Sequence, residues 1–146
     1  MSYTENVCAR GYAPQSFSND TQWINGSHVF IDPTDGPVEI TLDLGIVVFG
    51  SGTDGSTVEF EVFIRNADTN ETLAYNIFTS PALSGGYSSA KPPAMTARIP
   101  KGAAAGHYVG VVSGANTNNT NPVTVTLNPT WAPDGTSFVT MKAVNL

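Results

Sequence analysis

Apolar and polar residues alternate along most of this chain, in short stretches separated by turn-forming residues. Val38, Ile40, Leu42 and Leu44 alternate with Glu39, Thr41 and Asp43. Val58, Phe60, Val62 and Ile64 stand against Glu59, Glu61 and Arg65. Met95, Ala97 and Ile99 oppose Thr96 and Arg98, and Val123, Val125 and Leu127 oppose Thr124 and Thr126. A period of two sends successive side chains to opposite faces of a sheet, so each stretch reads as a strand with one face in a core and the other in water. Leu73, Tyr75 and Ile77 continue the pattern after residues 66–71, which read as a hairpin loop. Residues 22–32, with Trp23, Ile24, Val29, Phe30 and Ile31, supply one or two strands near the start. Residues 45–50 and 108–112 are apolar on both faces, and residues 138–144 form the last strand.

The interruptions are Asp35-Gly36, Asp54-Gly55, Gly85-Gly86, Pro92-Pro93, Gly102, Gly114 and Asp134-Gly135. These residue types accept tight-turn backbone geometry, which accounts for them without a ligand. No helical period is present, since Ala103-Ala104-Ala105 is too short and lies between glycines. The expectation is an all-β chain, a single β-sandwich of about eight antiparallel strands. Residues 22–146 make the sandwich. Residues 1–21, with Gly11, Pro14, Ser16, Ser18, Asn19 and Asp20 and no period, read as an extended N-terminal arm. Residues 80–93 form a longer loop of small residues.

Composition narrows the function classes. The length of 146 residues fits one domain. Only 12% of residues are charged, about half the usual ~25%. A net charge of −6, with no basic cluster, excludes binding to nucleic acid. No apolar run approaches the ~20 residues of a spanning helix, so no membrane partner is expected. The start Met-Ser-Tyr-Thr-Glu has neither the basic nor the apolar region of a signal peptide, which points to synthesis in the cytoplasm. The Asn-x-Ser/Thr matches at Asn19, Asn25, Asn70 and Asn118 are then unmodified. Cys8 is the single cysteine, so no disulfide forms within the chain.

Catalytic chemistry finds little to work with. Nucleophilic catalysis needs a nucleophile, a base and an orienting group in reach. The two histidines, His28 and His107, sit in no such pattern. Zinc needs three or four Cys, His or carboxylate ligands. The aspartates that could serve calcium (Asp32, Asp35, Asp54, Asp68, Asp134) sit in turns. Glu59 and Glu61 share a strand face, but a flat solvated one rather than a cleft. The expectation is no catalytic residue, no metal and no cofactor. Aromatics outside the alternation carry more promise: Tyr3, Tyr12, Phe17, Trp23 and Trp131 are candidate interface anchors. Trp23, Trp131 and Tyr87 are alternatively platforms for a sugar ring.

Two resemblances add to this. Residues 99–112 run strand, tight corner, then a strand opening on Gly106-His107-Tyr108. This resembles the corner between strands E and F of immunoglobulin-like sandwiches, where a tyrosine bonds back to the backbone. It implies an Ig-like Greek key, with the jelly roll as the alternative. The aromatic-bearing arm, the low charge and the Asn-dense loop at residues 114–122 are similar in style to bacteriophage capsid decoration (cement) and head-fibre proteins. That resemblance implies a non-catalytic structural protein of the virion, with capsid protein and copies of itself, as a trimer, for partners. The alternative is a carbohydrate-binding or adhesive module, with a glycan as ligand.

Overall fold

The computed structural model describes residues 5–8, 13–50, 52–115, 123–129 and 139–146. Its strands in chain order are β1 (Glu5–Cys8), β2 (Gln15–Phe17), β3 (Thr21–Ile31), β4 (Val38–Asp43), β5 (Val47–Gly50) and β6 (Glu59–Asn66). There follow β7 (Thr72–Thr79), β8 (Ser88–Ala90), β9 (Met95–Ile99), β10 (Gly106–Ala115), β11 (Thr124–Leu127) and β12 (Thr140–Asn145). No helix occurs among the described residues.

The pairings are nested. β1 pairs with β12, β2 with β11, β3 with β10, β4 with β9, β5 with β8 and β6 with β7, all antiparallel. The chain is thus one long ribbon closed at its far end by the β6–β7 hairpin. The ribbon folds over so that β12 also pairs with β4, β11 with β5 and β10 with β6. Three four-stranded sheets result, with orders β1-β12-β4-β9, β2-β11-β5-β8 and β3-β10-β6-β7.

The expected β-sandwich is present, and a ribbon folded on itself in this order is the jelly roll, the alternative topology rather than the favoured Ig-like one. Tyr108 lies in β10 opposite Asn66 of β6. Its hydroxyl bonds to the Asn66 side chain across this pair. Burial raises its pKa above the ordinary tyrosine value, against the lowering effect of that bond.

Side chains from all three sheets converge on one core. The alternation of β4 buries Val38, Ile40 and Leu42 and leaves Glu39, Thr41 and Asp43 facing outward. Phe60 lies at the centre of an aromatic cluster, with ring centroids 5.7 Å from Phe17, 5.9 Å from Phe49 and 5.6 Å from Phe78. Aromatic pairs at such distances contribute beyond the area they bury.

Within the segment expected as an extended arm, two stretches are strands of the sandwich. β1 and β2 both pair with C-terminal strands. Phe17 is buried. Three residues cannot display a period, yet Gln15-Ser16-Phe17 still alternates buried, exposed, buried. Gly114 shows how closely the turn after β2 lies on β10. A Cβ there would stand 1.4 Å from the Ser18 carbonyl oxygen, and the Gly114 N–H donates to the Asp20 carbonyl at 3.0 Å.

Candidate functional site

Two of the three sheets present different outward faces. Outward-facing residues of β1-β12-β4-β9 include Glu39, Thr41, Asp43, Thr96, Arg98 and Lys142, an ordinary solvated surface. The outer face of β3-β10-β6-β7 is aromatic. Register places Trp23, Val111, Phe63 and Tyr75 in one row across the four strands. A second row runs Thr21, Ser113, Glu61, Ile77. A third holds Phe30 opposite His107.

Val109, Val111 and Phe63 are buried there although they point away from the main core, and they form a separate apolar cluster. Their cover comes from the side chains around them. The Phe63 and Tyr75 rings lie 5.0 Å apart. The Arg65 guanidinium stands 4.1 Å above the Phe63 ring, an attraction of cation to ring face. His107 makes edge contacts with His28 at 4.8 Å and with Phe30 at 5.2 Å.

Around this cluster the larger side chains stay open to solvent. Trp23 and Phe30 are each 56% exposed, Tyr75 50% and Ile77 48%. Four large apolar side chains half-exposed on one face are more than the scattered single ones normal for a surface. The Tyr75 hydroxyl donates to a Glu61 carboxylate oxygen at 3.2 Å. Desolvation, and then the Glu61 charge, hold the Tyr75 phenol above its ordinary pKa.

No protein-family model matches the chain, and no curated protein matches it. Among solved structures, it is similar to dimeric latent PorU from Porphyromonas gingivalis, with a TM-score of 0.52, 10% identity and coverage of 99% of this chain and 13% of that one. Murine APRIL follows at a TM-score of 0.47 and 14% identity, covering 99% of this chain and 100% of that one. A structure of infectious bursal disease virus, Gt strain, gives 0.43 and 13%, covering 98% of this chain and 37% of that one. The likeness to PorU is one of fold. This chain spans 13% of the PorU chain and 37% of the viral one, and no activity passes across at such identities.

Of the five residues singled out from the sequence, Trp23 lies on the aromatic face and is exposed. Phe17 belongs to the main core, where its ring meets Phe60, so as an interface anchor it is corrected. Tyr3, Tyr12 and Trp131 lie outside the described residues. Tyr87 is exposed after the Gly85-Gly86 turn, with its ring so close on Gly50 that a Cβ there would come within 2.2 Å. Sequence reasoning missed Phe30, Tyr75 and Ile77. The last two were in the alternation, but on the side read as core. The available signal was Phe78, which belongs to the opposite set and packs on Phe60. Among the described residues no group of three or more His, Cys, Asp or Glu is placed to hold a metal ion.

Proposed function

We propose that the protein is a non-catalytic structural protein of a virus particle, of the capsid decoration type, which binds through the aromatic outer face of β3-β10-β6-β7. The observation that carries this reading is the half-exposed group Trp23, Phe30, Tyr75 and Ile77 around a buried apolar cluster. Aromatic side chains on a rigid sheet are what protein interfaces use as anchors. The jelly roll is used by capsid and lectin domains among others, which fits the reading by analogy of fold alone.

Magnitudes agree with an assembly role. Covering four half-exposed side chains removes roughly 300–400 Å² from water, or about 8–10 kcal/mol gross at ~25 cal/mol/Å². Association costs about 4–15 kcal/mol before any surplus appears. The face is therefore sufficient as the centre of an interface and needs polar rim contacts to complete it.

Density-gradient sedimentation of lysate from producing cells tests the proposal. The wild-type chain is expected to travel with particles. A folded Trp23→Ala/Phe30→Ala variant is expected to remain at the top of the gradient. Wild type found only at the top counts against the proposal. The same aromatic rings on one face also suit a glycan, which is the second reading. Binding on a glycan array that Trp23→Ala abolishes would favour it.

A further inference from the structure

Every open sheet has edges whose unpaired N–H and C=O groups can accept another strand, and proteins normally blunt them. Among the described residues the edge strands are β1, β9, β2, β8, β3 and β7. β1, β2 and β8 have four, three and three residues, too short to template much. β9 carries Arg98 and is followed directly by Pro100.

β3 is long, but its register shifts opposite Val109–Val111 and Gly26 sits at φ 76°. Its open groups are also occupied. The buried Gln15 amide donates to the Trp23 carbonyl at 2.7 Å and accepts from the Asn25 N–H at 2.8 Å.

β7 is the less protected of the two long edges. Its eight residues, Thr-Leu-Ala-Tyr-Asn-Ile-Phe-Thr, include no charge, no proline and no glycine. On one side it pairs with β6, the register shifting only near its start. No described strand pairs with the other side. The Ser80 N–H donates to the Val58 carbonyl, which sets the inward-bonding positions of this hairpin at even numbers. The odd positions Tyr75, Ile77 and Thr79, on the near side of the register shift, then direct their N–H and C=O groups outward. The Ile77 N–H agrees, donating to the Asn76 side-chain oxygen at 2.9 Å.

We propose that this edge pairs with β7 of a second copy of the chain, antiparallel about a twofold axis at Asn76. Charge opposes a like partner least at this edge. A molecule of net charge −6 repels its own copy over most of its surface, whereas two uncharged β7 strands meet without repulsion. A register centred on Asn76 sets Tyr75 opposite Ile77 of the second copy, twice over, an aromatic–β-branched pair of the kind that stabilises sheets. The two Tyr75–Ile77 pairs give roughly four backbone hydrogen bonds. The two four-stranded sheets become one, and the row from Trp23 to Tyr75 continues into the second copy. A self-matching contact of this kind closes as a dimer. The inference does not depend on the virion reading.

Sedimentation velocity on the full chain, purified alone, tests it. Wild type is expected to form a species of twice the monomer mass. Ile77→Lys, which adds a charge on the edge without touching the bonds to β6, is expected to weaken dimerisation at least tenfold and to keep cooperative unfolding. Asn76→Cys in a Cys8→Ser background reads the register. The two Asn76 positions face each other as a non-hydrogen-bonded pair about 4.5 Å apart at Cα, within disulfide reach. This variant is expected to cross-link under mild oxidation, and Thr79→Cys, far from its own symmetry mate, is not. A monomeric wild type, association unchanged by Ile77→Lys, or cross-linking at position 79 in place of 76 would each overturn the proposal.

Discussion

Single residues decide where this chain can be touched and where it cannot. Phe17 and Trp23 are both aromatics outside the clean alternations, yet one is core and the other surface. The difference comes from what each meets: Phe17 reaches Phe60 across the sandwich, while Trp23 continues a row with Val111 and Phe63 on the outer face. Residue type alone does not hold that information. Gln15 is the polar counterpart. Its buried amide joins β2 to β3 through Trp23 and Asn25. Gln15→Met keeps similar bulk and leaves both backbone groups without this partner, which costs about 1–3 kcal/mol. In urea unfolding the midpoint is expected to fall with the slope unchanged. An unaltered midpoint would mean that water replaces the amide at no cost.

At the scale of elements, the strands were legible and their facing was not always so. The alternations of β4, β6, β9 and β11 mark true strands. Residues 22–32 and 138–144 correspond to β3 at Thr21–Ile31 and β12 at Thr140–Asn145. β7 was found, and Leu73 does pack on the core, but past the register shift near its start Tyr75 and Ile77 face outward. A one-residue choice of register reverses every side chain, and only the neighbours across the sandwich settle it. β2 escaped notice because three residues show no period. Its importance appears on removal. Deleting residues 2–20 takes away β1, β2, Gln15 and Phe17. Loss of a core phenylalanine alone costs about 3–5 kcal/mol, against a typical total of about 5–15 kcal/mol. The truncated chain is expected to lose near-ultraviolet circular dichroism and cooperative melting. A truncated chain that melts like wild type would show these residues to be an independent arm.

For the whole molecule, the sandwich could be read from the sequence but its topology could not. Alternation says that a strand has an inner and an outer face, and nothing about which strand lies beside it. Here the partners are as far apart in the chain as β1 and β12, so local patterns such as the Tyr108 corner pointed to the wrong sandwich. The aromatic face shares that origin: Trp23, Phe30, Tyr75 and Ile77 lie on β3 and β7, which only the folded ribbon brings onto one sheet. This face and its β7 edge form the proposed contact surface. Amide hydrogen exchange on the protein in its native assembly, compared with dissociated single chains, tests it most directly. β3 and residues 72–79 are expected to gain protection in the assembly while β4 and β9 stay unchanged. Protection gained on β4 and β9, with β3 and β7 exchanging alike in both states, would contradict it.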